Sequence, residues 1–302
     1  HSGDYNVAVG YQTLRDSTNS YHNTAVGAYA LYSNTSGGTN VALGYGSLQA
    51  NTTGNGNLGL GTSALYRNTT GSYNVAAGGL GANTTGNYNV SVGNDALNSN
   101  TTASYNTAVG YQALRSNTTG DYNTAVGTAA LYAATTATYN SAFGREALYS
   151  TTTGSYNSAF GTKSLFTNTT GEFNTALGHR ALYSNTDGDT NTALGTHTLA
   201  SNTTGDRNIA IGTSALFDNT TGSDNTAVGI NAGRTNTGSN NIYFGNEAGN
   251  DHNSGSDSIF IGVNACNGIA SASNFFCLGG ASPMMYGNAT RLVIERDVRI
   301  NG

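Results

Sequence analysis

The sequence predicts an all-β protein: a parallel β-solenoid (β-roll) of about seventeen 17-residue coils, assembled as an intertwined or side-by-side homotrimeric fibre. A block of the type N-[TVSI]-A-[VLFI]-G returns every seventeen residues, apart from a two-residue deletion after Gly78 and a one-residue deletion before Gly245. Apolar residues keep their places from copy to copy, and a segment of the N-T-T-G type follows the blocks. A fixed period of this length is typical of one structural unit stacked many times. The glycines that close the blocks are Gly10, Gly27, Gly44, Gly61, Gly78, Gly93, Gly110, Gly127, Gly144, Gly161, Gly178, Gly195, Gly212, Gly229, Gly245, Gly262 and Gly279.

The first element of each copy is a short strand. We number a copy from its Asn, so that position 1 is Asn106 and position 17 is Tyr122 in the copy 106–122. Position 4 is large and apolar, position 3 is small and usually Ala, and this alternation predicts a strand. We expect positions 2 and 4 to face the core. The small position-3 row would then face outward, where it permits close approach of other chains in a trimer; alternatively, Ala simply fits a narrow monomer.

The second element is a short extended segment around position 9, which is Leu in nearly every early copy, as at Leu114 and Leu131. The shortened copy around Gly78 is the exception to this row. The N-T-T-G segment predicts a turn, with side-chain-to-backbone bonds from Asn and Thr and a positive φ at Gly. A helix is disfavoured by the frequent Gly, Asn and Thr and by the absence of a 3.6-residue period.

Stacking turns the Asn at position 1 into a ladder. Its amide can bond the copies above and below, as in stacked Asn ladders, so we interpret this row as structural. Its members run from Asn6 through Asn106 and Asn123 to Asn241.

Composition excludes several classes of partner. The 302 residues include 42 Gly but only 9% charged residues, and the formal net charge is −5. No basic stripe is present, which argues against nucleic acid as a partner. No apolar run approaches the ~18 residues of a membrane-spanning helix, which argues against membrane insertion. The chain opens on His1 rather than Met, which indicates a fragment or a processed product.

The residues of catalysis and metal binding do not cluster. The five histidines occupy unrelated positions, and Asp187 and Asp189 fit solvated turn residues better than a catalytic pair. We therefore expect no enzyme, no catalytic residues, no metal site and no cofactor. Cys266 and Cys277 lie in different rows, and we expect two small buried apolar side chains or, alternatively, a disulfide bridge.

The repeated text resembles two classes of surface fibre. The N-[TS]-[VA]-A-[IV]-G block is similar to the head repeats of trimeric autotransporter adhesins, which form trimeric left-handed parallel β-rolls. The longer text N-T-A-V-G-Y-x-A-L-x-x-N-T-T-G, over about residues 1–280, resembles repeats of phage tail fibres and related bacterial surface fibres. The resemblance implies a homotrimer, an extracellular location on a virion tail or bacterial surface, and attachment to a cell-surface glycan or protein receptor.

We therefore expect a structural, receptor-binding fibre of the phage or contractile-injection type. The alternatives are a bacterial cell-surface trimeric adhesin, an ice-binding solenoid and a surface-polysaccharide depolymerase.

The C-terminal part departs from the pattern, which divides the chain into a shaft at 1–273 and a cap or tip segment at 274–302. Aromatic residues at position 3, Tyr243 and Phe260, indicate a widening or capping of the stack. The alternation in "RLVIERDVRI" predicts a strand exposed on one face. Residues 274–302 resemble the stretch that precedes the C-terminal intramolecular chaperone of many phage fibres, which implies cleavage after Gly302.

Two sets of residues are candidates for carbohydrate or receptor binding. Aromatic residues at position 10 should point outward, beside Asn and Thr hydroxyls, and offer the flat apolar faces that sugar rings need; alternatively, they only shield and stiffen the coil. The candidates in this row are Tyr32, Tyr66, Tyr132, Tyr149 and Tyr183. The candidates at the tip are Met284, Met285, Tyr286, Arg291, Arg296 and Arg299.

Overall fold

The structure is a computed structural model that describes residues 3–271, 273–280, 283–288 and 291–294. The chain divides into two units, His1–Tyr156 and Asn157–Gly302. Each unit is an all-β parallel solenoid, and together they hold about 16 coils. The described residues include no helix, so the predicted fold class is confirmed for the single chain.

Each coil contributes one three-residue strand at positions 2 to 4. Successive strands pair in parallel with like residues opposite like residues, for example Ala108 with Ala125. In the first unit the strands are β1 (Val7–Val9), β2 (Thr24–Val26), β3 (Val41–Leu43), β4 (Leu58–Leu60), β5 (Val75–Ala77), β6 (Val90–Val92), β7 (Thr107–Val109), β8 (Thr124–Val126) and β9 (Ser141–Phe143). In the second they are β10 (Ser158–Phe160), β11 (Thr175–Leu177), β12 (Thr192–Leu194), β13 (Ile209–Ile211), β14 (Thr226–Val228), β15 (Ile242–Phe244) and β16 (Ile259–Ile261).

The stack ends in a hairpin rather than in a seventeenth coil. Strand β17 (Phe275–Gly279) still pairs in parallel with β16. The chain then turns back, and β18 (Pro283–Asn288) and β19 (Arg291–Ile294) pair in antiparallel. Cys266 and Cys277 are buried and joined by a disulfide, so the alternative of a bridge is the correct one.

Backbone hydrogen bonds join neighbouring coils outside the strands as well. Leu48 N–H donates to the Ala64 carbonyl at 2.9 Å, and Thr52 N–H in the N-T-T-G segment donates to the Thr69 carbonyl at 2.8 Å. The N-T-T-G segment is therefore a rung of the stack and not a free loop. Because main-chain groups cannot stay unpaired when they are buried, this bonding lets the coil close around a thin core.

The predicted direction of the strand side chains is wrong. The small position-3 residues point inward, and Ala108 and Ala125 are fully buried. Positions 2 and 4 point outward, so that Val92 is 40% exposed and Leu177 is 52% exposed. The core lies between two walls, the strand at positions 2 to 4 and the segment around position 9. The coil is too thin for large side chains from both, because the Leu row at position 9 already fills the space between them.

The Leu row at position 9 is confirmed as the main apolar core, and Leu114 and Leu131 are fully buried. It runs through the shortened copy too, contrary to expectation. The two deleted residues come out of positions 7 and 8, and Leu80 takes the position-9 place, buried and with its N–H donating to the Ala96 carbonyl at 3.0 Å. Core continuity is thus preserved across the deletion.

The turn geometry differs from the prediction. The N-T-T-G glycines, such as Gly54, are not among the residues with positive φ. Left-handed φ falls instead on L-residues at positions 7, 9 and 17, for example at Ser63 (58°), Leu114 (50°) and Tyr105 (60°). Since left-handed φ is unfavourable for such residues on their own, inter-coil bonds and core packing hold these turns in place.

Two rows of buried asparagine line the ends of the core. In the predicted row, Asn106 N–H donates to Asn89 Oδ1 at 3.0 Å, and Asn106 Nδ2 closes its own coil by donating to the Gly120 carbonyl at 2.9 Å. A second row, at position 12, was not predicted. In it most of the amides donate to the one before, as from Asn51 Nδ2 to Asn34 Oδ1 at 2.9 Å. Both rows repeat the same hydrogen bonds in most coils and so fix the register of the stack.

The position-12 row is interrupted in the first unit, which gives a test of its value. Ala134 follows Asn117, whose buried Oδ1 has no hydrogen-bond partner among the described residues, and buried Thr151 Oγ1 in the next coil has none either. Replacing Ala134 with Asn supplies a donor to the first and an acceptor to the second. We expect Ala134→Asn to raise the free energy of unfolding by about 1–2 kcal/mol.

Thermal and chemical denaturation of the wild type and Ala134→Asn measure this difference. The coil of Asn100 already combines Asn at position 12 with Ala103 at position 15, so the substitution has a precedent in this chain. Ala133→Asn, one residue away and partly exposed, is the control and should leave stability unchanged. A loss of stability in Ala134→Asn would contradict the ladder as a source of stability.

The aromatic residues at position 3 of the last coils, which predict a widening or capping of the stack, are accommodated by small residues on the opposite side of the core. Tyr243 and Phe260 are fully buried, and the facing position-9 residues are Gly233 and Gly249 instead of Leu. Tyr243 also hydrogen-bonds His252, which takes the place of Asn in the position-12 row, with its hydroxyl 2.6 Å from Nδ1. Burial raises the pKa of Tyr243 far above its ordinary value. In these coils the large side chains in the core come from position 3, on the strand, and the small residues stand at position 9, on the opposite wall.

Candidate binding surfaces

The position-10 side chains lie outside the core, as predicted, and form stacked columns. The rings of Tyr132 and Tyr149 are 5.0 Å apart and 5° from parallel, and those of Phe166 and Tyr183 are 5.2 Å apart and 4° from parallel. Cations cover some of the rings, with the Arg15 guanidinium 3.7 Å from the centre of Tyr32. A ring stacked on both sides shows only its edge to solvent. The intact column therefore favours the stiffening role over sugar stacking.

A second column of tyrosines stands at position 17. Neighbouring rings are 4.9–5.1 Å apart and within 11° of parallel, and all of them are about half exposed. Its members are Tyr73, Tyr88, Tyr105, Tyr122, Tyr139 and Tyr156. This column hides its ring faces in the same way, so it too is suited to stiffening the coil.

Ring faces become available where a column member is missing. In the shortened coil of the first unit, Gly81 takes the place of the ring, and a cavity of about 290 Å³ opens beside Tyr66. Its other walls are mostly glycine and small polar residues, including Ser63 and Asn98. Of the predicted binding tyrosines, Tyr66 is thus one with an accessible concave surface.

A second gap lies in the second unit, where Ala200 stands between Tyr183 and Phe217 at position 10. A cavity of about 160 Å³ opens there, and we call it the ring gap; its lining is Arg180, Tyr183, Ser184, His197, Ala200, Ser201 and Phe217. His197 Nε2 is buried and has no hydrogen-bond partner among the described residues. Burial first, and then the nearby charges of His179 and Arg180, lower the pKa of His197, so its imidazole is neutral at pH 7. Tyr183 is among the predicted binding residues, whereas the gap beside it, which the loss of a ring at Ala200 creates, was not predicted.

The predicted tip residues fall partly outside the described chain. Met284, Met285 and Tyr286 lie in β18, and Arg291 begins β19. Arg296 and Arg299 lie outside the described residues. The structure brings the two described strands together as a hairpin, without relating them to the position-10 columns.

The outward faces of the strands form an exposed, uncharged surface in each unit, which we call the open sheet face. It consists of positions 2 and 4, and no charged residue occupies either position in β1–β16. Position 4 is apolar in every strand from β1 to β16, whereas position 2 is apolar in eight strands and Thr or Ser in the other eight. The most exposed members of the face include Val7, Val9, Val92, Leu177, Ile209, Phe244 and Ile242. The position-4 row therefore places an apolar side chain on this face in every coil, in contrast to the singly scattered apolar residues of ordinary monomers.

Acidic side chains stabilise the turns. Asp189 accepts a hydrogen bond from the Glu172 N–H at 2.7 Å, and Asp187 accepts one from the Thr170 hydroxyl in the preceding coil. In the described part of the chain, no three His, Cys, Asp or Glu side chains converge as metal ligands. No apolar helix of membrane-spanning length occurs among the described residues.

No protein family model matches this chain, and no curated protein matches it.

Proposed function

We propose that the chain is a self-associating structural fibre of the phage or contractile-injection tail type, which attaches to a receptor on a cell surface. The observation that carries the proposal is the open sheet face. It leaves Val, Leu, Ile and Phe side chains in water in coil after coil, at a cost that only a permanent covering surface offsets.

A second copy of this chain fits the open sheet face better than an unrelated protein. The strands repeat at the ~4.8 Å spacing of neighbouring β-strands. Only a partner with the same repeat stays in register with the ridges of positions 2 and 4 over many coils. The absence of charge on the face removes the repulsion that would oppose pairing of identical surfaces.

The face has two ridges, which favours a trimer over a dimer. In a three-fold assembly each chain meets two neighbours, so the position-2 ridge packs on one neighbour and the position-4 ridge on the other. The position-3 row, which we expected at the trimer axis, is buried inside each coil and takes no part. The charged residues and the position-10 columns remain outside, available to a receptor.

The Thr rows count against an ice-binding function. At position 13 the hydroxyls are used within the stack, as from Thr118 Oγ1 to the Thr135 carbonyl at 3.0 Å and from Thr186 Oγ1 to the Thr203 carbonyl at 3.1 Å. Hydroxyls fixed in this way cannot all order a water lattice. A bacterial trimeric adhesin shares the proposed surfaces and differs from a tail fibre only in the structure that carries it.

Charge placed on the open sheet face tests the assembly. We expect the wild type to have three times the chain mass of 30.8 kDa by light scattering. Val92→Asp/Val109→Asp should give single chains, because six carboxylates cannot be buried at the trimer interface without counter-charges. On an array of bacterial surface glycans, the variant should bind 10²–10⁴-fold more weakly than the trimer, since avidity is lost.

The matched control is Thr102→Asp/Thr119→Asp, which places the same charges on exposed turn positions of the same two coils. It should keep the trimer mass and the array signal, and circular dichroism verifies that both variants are folded. A single-chain mass for the wild type would overturn self-association. A trimer that binds nothing on the array would overturn attachment through a glycan.

A further inference from the structure

We infer that the ring gap binds one acidic pyranose ring, a uronic-acid residue of a cell-surface polysaccharide, between the faces of Tyr183 and Phe217. The inference deepens the proposed function and rests on it for the source of the sugar. Its physical basis is the combination of two aromatic rings with no ring stacked between them, a buried imidazole nitrogen without a partner among the described residues and a neighbouring guanidinium in one small cavity.

The spacing of the aromatic walls suits a single ring. Rings in consecutive coils of the position-10 column stand 5.0 Å apart, as between Tyr132 and Tyr149. Since Ala200 removes one ring, Tyr183 and Phe217 are two strand spacings of ~4.8 Å apart, which is about 10 Å. A ring inserted midway is then about 5 Å from each wall. This is the distance at which the column stacks its own members.

The faces of Tyr183 and Phe217 that line the gap have no position-10 ring stacked between them. Phe166 covers the other side of Tyr183 at 5.2 Å, and the Arg234 guanidinium lies 5.4 Å from the centre of Phe217. Ala200 is nearly buried, and its methyl group forms the bottom of the gap. Apolar C–H faces of a sugar therefore meet aromatic rings on both sides, which is the usual way in which proteins hold a pyranose.

Two polar groups can form hydrogen bonds with the edge of the bound sugar ring. His197 lies 6.1 Å from Phe217, ring centre to ring centre, and its buried Nε2 lacks a partner among the described residues. A neutral imidazole nitrogen donates or accepts one hydrogen bond, and a sugar hydroxyl satisfies it in either tautomer. Arg180, whose guanidinium is 5.3 Å from the centre of Tyr183, supplies a forked donor for a carboxylate. An acidic sugar uses both groups, whereas a neutral sugar uses only the first.

The size of the cavity limits the ligand to one residue of a longer chain. At about 160 Å³ it is smaller than the 300–1,000 Å³ of sites that enclose drug-sized ligands. The gap lies on the outside of the coil, so a polysaccharide can continue on either side of the ring that is held. Repetition of the gap on every chain of a trimer would add avidity to a weak single contact.

The test uses the full-length protein and two probes that differ only at the carboxylate. Saturation-transfer NMR titrations with methyl β-D-glucuronopyranoside and methyl β-D-glucopyranoside give the affinity of each. We expect the glucuronide to bind at least tenfold more tightly, and Arg180→Gln to remove this preference. Ala200→Tyr completes the aromatic column and should abolish binding, because the new ring occupies the gap.

The matched control is Gly81→Tyr, which fills the gap of the first unit with the same side chain and leaves the ring gap open. It should bind the glucuronide as the wild type does. Equal binding by Ala200→Tyr, or no binding of the glucuronide to the wild type, would overturn the site. Equal affinity for both probes would overturn its acidic selectivity.

These outcomes separate the two proposals. If Ala200→Tyr still binds the glycan array as a trimer, the proposed sugar site in the ring gap is wrong and the fibre function stands. If the glucuronide binds in the gap while the array stays blank, attachment to a glycan receptor is wrong and the site stands.

Discussion

Gly127→Ala is expected to lower the free energy of unfolding of the first unit by on the order of 3 kcal/mol or more. Gly127 closes its strand with a φ of +135°, a conformation that residues with a Cβ rarely adopt. A Cβ at this site would stand 2.6 Å from the Gly144 carbonyl oxygen in the next coil. Both the strain and the clash involve main chain, so neither is relieved by a side-chain rotation.

Thermal denaturation followed by circular dichroism measures the effect, and Gly46→Ala is the matched control. Gly46 also has a positive φ, of +62°, but other coils place Ser63 or Ala129 at the same position with φ of 58° and 54°. Its Cβ would lie 3.1 Å from the end of the flexible Gln49 side chain and at an ordinary contact distance of 3.6 Å from the Tyr66 ring. We expect a small change for Gly46→Ala. Equal effects of the two variants would show that positive φ alone, and not contact between coils, explains the glycine row.

Gly233→Leu is expected to destabilise the second unit by on the order of 3 kcal/mol, although Leu is the usual residue at position 9. The backbone accepts Leu, since Gly233 has a φ of +55° and Leu114 adopts 50° at the equivalent site. The obstacle is packing. A Cβ on Gly233 would lie 2.5 Å from Cδ2 of Tyr243, which is fully buried.

A double-mutant cycle with Tyr243→Ala isolates this packing. Tyr243→Ala alone leaves a cavity and should cost about 3–5 kcal/mol. The double variant returns Ala to position 3 and Leu to position 9, so we expect it to be more stable than the sum of the single effects by about 2 kcal/mol. The lost hydrogen bond to His252 is common to Tyr243→Ala and the double variant and cancels. Additive effects would contradict the transfer of bulk between the two walls.

The sequence was sufficient for the features that depend on the period. The parallel register, the Leu row and the position-1 Asn row follow from stacking like positions, and the structure confirms each of them. The structure adds the reason for the block-closing glycines: a Cβ on a residue such as Gly110 would meet the main chain of the next coil.

The side-chain direction of the strand was not predictable from alternation alone. Alternation separates two faces but does not say which one is inside, and the larger residues were assigned to the core by default. The thickness of the coil decides which face of the strand is inside. That thickness depends on how Leu114 and its equivalents at position 9 pack against the strand. The second Asn row was missed for a related reason: Asn117 was assigned to a turn, while it is buried against the core.

The candidate site was only half visible in the sequence. Tyr183 was singled out for its exposed ring, yet its partners in the gap come from three consecutive coils: Arg180, His197 and Phe217. They meet because the stack places positions 7 and 10 of neighbouring coils side by side. A search for unusual residues would have passed over Ala200, since the informative event there is the loss of a ring.

Because the position-10 side chains do not pack in the core, residues in this column can be exchanged while the coils keep their fold. Exchanging one aromatic residue for alanine opens a slot one ring wide, and the reverse exchange closes it. Each such exchange therefore changes the surface of a single coil and leaves the core packing of the neighbouring coils unchanged.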